Sequence, residues 1–238
     1  MRTLYWDIFA GISGDMSLGS LIALGADPAH IRSTLHSIGL TDFELVVEKR
    51  QVHGIAATDV DVKITADQLS HRHLGAIEKM LAGGQLSDLT RSRTLQIFQT
   101  LARAEARVHG TSPDQVHFHE VGAVDAIVDI AGTAIALEQL EIEQIYVPEI
   151  PWSHGFVQCA HGTLPLPAPA TVELLQGFRW RESHITGELV TPTGAAIISS
   201  LAKQTVFPAM TVQRVGYGMG KKYYGIPNLL RGIIGEID

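Results

Sequence analysis

The sequence predicts an α/β (or α+β) fold, a mixed sheet flanked by helices, with a small hairpin-containing subdomain over residues 41–66. Three features carry this. An apolar strand-like run, "TLYWDIF", passes through a glycine-bearing loop into helical periodicity. A pair of segments alternates in polarity around a His-Gly tip. A long apolar stretch with helical spacing feeds a second strand-like run, "IEQIYVP".

In chain order, "TLYWDIF" reads as the first strand, "AGISGD" as its loop and Met16 to Leu24 as a helix. Asp27 and Pro28 supply an N-cap and first-turn proline for a second helix, with Ile31, Leu35 and Ile38 on one face and Gly39 as its stop. "FELVVEKRQV" and "GIAATDVDVKIT" alternate as antiparallel strands, and His53-Gly54 is the hairpin tip. His73 to His109 is helical, with Ile97, Leu101, Ala104 and Val108 down one face and Gly110 closing the run. "QVHFHEV" reads as a short strand and Val124 to Leu140 as a helix. The last third holds short helices near Pro169–Gln176 and Thr193–Lys203 and a final strand, "LLRGIIGEI".

With 18 basic and 25 acidic side chains the net charge is -7, which argues against a protein that grips a phosphate backbone by bulk charge; nucleic acid is not an expected partner. No apolar run approaches a membrane span, and Asp7 interrupts the N-terminal apolar run too early for an export signal. A single cysteine, Cys159, suits a reducing compartment. The expected location is therefore the cytoplasm.

Chemistry concentrates in "VHFHEVGAVDAIVD", where histidines and acids sit among apolar residues. Desolvating charge is costly unless the charge is paired or metal-bound. His117 and His119 share one face of an extended strand, beside Glu120. On a helix starting near Ala123, Asp125 and Asp129 stand four residues apart on one side and repel unless a cation sits between them. "SHGFVQCAHG" adds His154, Cys159 and His161, a donor set that suits a borderline transition metal; a lone cysteine is also commonly just a small buried side chain. "SHRHL" either gathers metal or is plain solvated surface.

Two glycine-bearing turns are candidate anion sites. In "GELVTPTGAAI", Thr191, Thr193 and Gly194 stand where a loop enters a helix; the plainer reading is an N-capped helix stiffened by Pro192. "DIFAGISGD" offers Gly11, Ser13 and Gly14 between Asp7 and Asp15, without the lysine of a Walker loop or the dinucleotide glycine pattern. On residues alone, a phosphohydrolase using paired carboxylates and two hard cations is also open.

Taken in order, "DIFAGISGDM", "HRHL", "VHFHEVGAVDAIVDI", "GFVQCAHGTLPLPAPATVELL", "GELVTPTGAAI" and "GYGMGKK" with "IPNLLR" resemble the LarC family of nickel insertion proteins across nearly the whole chain. The resemblance implies a nickel chelatase, classed as a lyase. It would place nickel into pyridinium-3,5-bisthiocarboxylic acid mononucleotide through metal-carbon and metal-sulfur bonds, forming the nickel-pincer cofactor of lactate racemase. In the family this is coupled to CTP hydrolysis with magnesium or manganese. The resemblance supplies the substrate, and the residues themselves suggest the roles: His117, His119 and Glu120, with His154 and His161, as exchangeable nickel ligands and Asp125 or Asp129 as proton acceptor. Asp7, Gly11, Ser13, Gly14, Asp15, Thr191, Thr193 and Gly194 would serve the mononucleotide. The tract before "HRHL", often long and histidine-rich in the family, is short here. Full-length relatives continue into a CTP-associated C-terminal domain, whereas this sequence stops at Asp238. It thus corresponds to the N-terminal segment, a fragment or a separately made product, with the C-terminal LarC portion as expected partner and a homo-oligomer left open. A non-enzymatic nickel carrier is the alternative role.

Overall fold

The computed structural model describes residues 1–65, 72–116, 123–159 and 161–237. Among them, a seven-stranded mixed sheet runs in the order β2 (Phe43–Val52), β3 (Ile55–Ile64), β10 (Thr211–Met219), β11 (Leu229–Glu236), β1 (Arg2–Asp7), β4 (Gln144–Val147), β9 (Ala202–Gln204). Strand β1 (Arg2–Asp7) leads through a loop into α1 (Gly14–Ala23), followed by α2 (Pro28–Ser37), whose N-cap Asp27 accepts the Ala29 N–H. The hairpin β2 (Phe43–Val52) and β3 (Ile55–Ile64) turns at His53 and Gly54, both at positive φ, which matches the right-handed strand twist. This β2–β3 hairpin forms one edge of the main sheet, because β3 pairs in parallel with β10 (Thr211–Met219).

The helical stretch from His73 is two helices, α3 (Leu74–Ala82) and α4 (Asp88–His109). Gly83 and Gly84 break it, and Ser87 caps α4 by accepting the Thr90 N–H. Val108, on the same face as Ile97, Leu101 and Ala104, is 41% exposed, one residue before the end of α4. Of the expected strand "QVHFHEV", Gln115 lies in a 3-10 turn, Val116 is buried, and residues 117–122 lie outside the described residues.

Helix α5 (Val124–Gln139) feeds β4 (Gln144–Val147), parallel to β1. Beyond it, β5 (Ile150–His154) pairs with β8 (Trp180–Thr186), and β6 (Phe156–Cys159) and β7 (Gly162–Pro165) form a small separate hairpin. Helices α6 (Pro169–Leu174) and α7 (Pro192–Leu201) appear where expected, although Ala202 and Lys203 belong to strand β9 (Ala202–Gln204). β11 (Leu229–Glu236) runs antiparallel between β1 and β10. No helix among the described residues is long and apolar enough to cross a membrane.

Helix α1 is the structural key to the site. It packs on β10, β3 and β11 with Leu18 and Leu21 fully buried. A side chain at Gly218 of β10 would put its Cβ 2.0 Å from the Met16 carbonyl oxygen, so only glycine lets the helix lie this close to the sheet. Trp6 fixes the same contact by donating its indole N–H to Ser20 Oγ at 3.0 Å.

Candidate functional site

The loop leaving β1 docks on the segment before α7. Ile12 N–H donates to the Leu189 carbonyl at 2.9 Å, and Thr191 N–H donates back to the Ile12 carbonyl at 3.1 Å. A Cβ at Gly194 would sit 2.4 Å from the Ile12 oxygen, and one at Gly11 would be 1.9 Å from the Leu189 oxygen. These two glycines therefore serve loop-to-loop contact. The two turns that sequence reading treats as alternatives form one wall.

The first turns of α1, α5 and α7 all line a cavity of about 340 Å³ beyond the end of β1. α1 contributes Ser13, Gly14 and Asp15; α5 contributes Asp125, Ala126 and Asp129; α7 contributes Thr191, Pro192 and Thr193. Asp61, Glu188 and Lys221 complete the polar lining. Helix N-termini carry unsatisfied N–H groups and a positive dipole end, which stabilise negative charge nearby. At α7, Thr191 Oγ1 accepts the Gly194 N–H at 3.2 Å, an ordinary N-cap.

Asp129 is the least compensated group here. Its Oδ1 is buried with no hydrogen-bond partner among the described residues. Burial above all, then the charges of Asp15 and Asp125, pushes its carboxyl well above the ordinary carboxylate range, with Lys221 opposing. A Cβ at Gly14 would lie 2.4 Å from Asp129 Oδ2, so glycine at that position lets α1 meet the acid. Asp15 is raised too, by burial, against the pull of the Ser13 hydroxyl that donates to it and of the Met16 N–H at 2.9 Å. Lys221 is anchored by Asp59, with Asp61 at 3.7 Å. Five carboxyl groups and one lysine line this chamber, so its acidic side favours a proton or a cation, while the starts of α1 and α7 form the side that suits negative charge.

A second cavity of about 480 Å³ adjoins the first, and Glu188 and Pro192 line both. Its walls are more apolar, with Val108, Val157 and Leu164 beside Glu105, His109, Cys159, His161 and Lys222. Glu188 is held at the junction: Lys222 Nζ lies 3.3 Å from its carboxylate, and the Tyr224 hydroxyl donates to its carbonyl at 2.7 Å. Burial and Glu188 push the Tyr224 hydroxyl up to about 12.

The nickel insertion protein family model matches residues 4–238. The chain belongs to that family. It is 46% identical over 238 residues to a protein of Dictyoglomus thermophilum, covering 100% of this chain and 61% of the relative. It is 44% identical to proteins of Desulfitobacterium hafniense and Thermotoga sp., each named pyridinium-3,5-bisthiocarboxylic acid mononucleotide nickel insertion protein, with 59% and 62% of those relatives covered. The chain thus spans about 60% of the length of the curated relatives it matches. No solved structure matches it.

For a nickel insertion protein, the placement of the expected residues is uneven. Asp125, Asp129, Ser13, Gly14, Asp15, Thr191 and Thr193 share the first chamber. Asp7 does not line it: Arg231, its cross-strand partner, holds it through a 3.0 Å bond from Nε and a second from the guanidinium end. His154 is turned outward, with Nε2 2.8 Å from Glu182. The N–H of His184, then the contact from His154, lowers the Glu182 carboxyl to about 2. His161 lies in the second chamber. His117, His119 and Glu120 lie outside the described residues, as does His71 of "SHRHL"; His73 precedes α3. Among the described residues no group of three or more His, Cys, Asp or Glu is placed to hold a metal ion. Sequence reading missed Glu188 and Lys221. The Gly-Lys-Lys turn offered a signal for the lysine, but nothing local links it to Asp59.

Proposed function

We propose that this chain is the substrate- and nickel-handling part of a chelatase of the lyase class that inserts nickel into pyridinium-3,5-bisthiocarboxylic acid mononucleotide. The observation that carries this is the convergence of three helix N-termini, the acids Asp125 and Asp129, and Lys221 on one cavity. In this reading the mononucleotide phosphate sits at the Thr191–Thr193 turn beside Ser13 and Gly14, where N–H groups and Lys221 offset its charge. The cationic pyridinium ring then faces the acidic side.

Insertion replaces a ring carbon–hydrogen bond with a carbon–nickel bond, so a base must take the proton. A carboxyl with a raised pKa is a stronger base once ionised, and Asp129 is that group, with Asp125 the alternative. Nickel arrives as cargo, held by exchangeable donors proposed among His117, His119, Glu120 and His161. CTP with magnesium or manganese belongs to the C-terminal LarC portion in this account, and the setting is the cytoplasm. The product is the nickel-pincer cofactor.

The test mixes this chain with the C-terminal portion, CTP, magnesium or manganese, nickel and the metal-free mononucleotide, and follows the pincer chromophore. Product that requires this chain supports the proposal. Equal product when free nickel replaces the chain makes it a carrier, and nucleotide hydrolysis by the chain alone makes it a phosphohydrolase.

A further inference from the structure

The second chamber brings together residues that no sequence motif joins. His109 is the last residue of α4, and His161 stands at the tip of the β6–β7 hairpin. Their rings approach to 4.7 Å between centroids at a 44° tilt. Metal–imidazole bonds of about 2.1 Å put each centroid roughly 3.2 Å from a shared ion. Two rings on one ion then have centroids about 4.5 to 5.2 Å apart as the bond angle opens from square to tetrahedral. The observed spacing falls in that interval.

Two further features favour a cation here. His109 Nε2 lies 3.4 Å from Glu105 Oε2, one helical turn back. A carboxylate on one ring nitrogen fixes the tautomer and ring orientation and makes the other nitrogen a better donor, the usual support for a metal-binding histidine. His109 also ends a helix of 22 residues, where the macrodipole favours positive charge. Among the described residues, the charged side chains lining this chamber are Glu105 and Glu188 against Lys222, and Lys222 is paired with Glu188.

We propose that His109 and His161, with Glu105 orienting His109, form a two-imidazole docking site for nickel in the second chamber, from which the ion passes to the mononucleotide in the adjoining first chamber. This rests on the insertion reading above and gives His109 and Glu105 roles in it. Two protein nitrogens leave coordination positions open. The substrate's sulfur atoms can enter those positions before the imidazoles leave, so the ion need not be released to water. The apolar walls Val108, Val157 and Leu164 suit a planar ring approaching from the junction at Glu188.

Anomalous diffraction at the nickel edge on crystals of the chain soaked in nickel chloride tests this without any variant. The expected result is a peak within bonding distance of one nitrogen of each ring. Nickel elsewhere, with both rings unmetallated, overturns the proposal. In solution, calorimetric titration with nickel chloride should show one equivalent weakened at least about tenfold in His109→Gln and His161→Ala, and less in Glu105→Gln. His30→Ala, on α2, should match wild type. Unchanged affinity in both imidazole variants, with circular dichroism showing them folded, also overturns it. The chromophore assay at limiting nickel keeps the two readings apart. Wild-type product from both variants sinks the docking site and leaves insertion standing. No product from the wild-type chain sinks insertion, and the nickel peak still decides the site.

Discussion

The end of β1 and the start of α5 each place an aspartate within an apolar setting, and the fold treats them oppositely. Asp7 meets Arg231 across the β1–β11 ladder, and Phe9 packs under the same guanidinium at 5.9 Å. Asp129 receives nothing equivalent: its Oδ1 is buried and unbonded among the described residues, and Asp15 and Asp125 raise its cost further. A paired acid contributes to stability, whereas an acid left uncompensated costs stability and is retained for another purpose. The contrast marks the first as architecture and is why the second is the proposed base.

The strongest way to break the comparison is Asp129→Asn. Insertion activity should fall by at least about 100-fold, the usual share of a general base, as read by pincer formation. The same variant should gain about 2 kcal/mol of stability at neutral pH, because an uncompensated buried carboxyl is replaced by a neutral amide. Since folded Asp129 and Asp15 hold their protons more tightly than the unfolded chain does, wild-type stability should rise as pH falls from neutrality toward the ordinary value of 3.8. Urea midpoints at several pH values would show this slope in the wild type and a shallower one in Asp129→Asn. A flat wild-type profile would place the carboxyl in an ordinary environment.

Gly14→Ala comes next, since its Cβ would fall 2.4 Å from Asp129 Oδ2. The expected cost is about 3 kcal/mol in urea unfolding, with the double variant Gly14→Ala, Asp129→Ala recovering part of it. Asp7→Asn should cost about 2 kcal/mol by losing a charge-assisted pair while leaving kcat of insertion near wild type. A collapse of kcat there would erase the distinction between the two acids. Thr191→Ala, which removes the cap on Gly194, should cost about 1 kcal/mol and weaken binding of the mononucleotide; unchanged KM would move the phosphate elsewhere.

How much of this was legible follows from range. The β2–β3 tip, the caps of α2 and α7 and the placement of Asp125 and Asp129 one turn apart are local, set by φ preferences and helical spacing within a few residues. The helix break before Ser87 was also written locally, in Gly83-Gly84, but helical periodicity on both sides obscured it. Strand β10 was missed because its first half is exposed and its second carries glycines that receive α1 rather than alternating apolar side chains. The pairings that define the site are long-range. Asp7 with Arg231 joins the first and last strands, Lys221 reaches Asp59 across the β3–β10 contact, and His109 meets His161 only because a hairpin folds over the end of α4. Asp7 looked exceptional in the sequence, and its compensating charge lay at the far end of the chain.

The most direct test of the account is carbon-13 NMR titration of the aspartate carboxyls, with Asp129→Asn to assign the signal. The account predicts one carboxyl that titrates well above the ordinary aspartate range, disappears in the variant and shifts when the metal-free mononucleotide is added. If every aspartate titrates in the ordinary range, or if the mononucleotide leaves that signal unmoved, Asp129 is not the base and this cleft is not where insertion occurs.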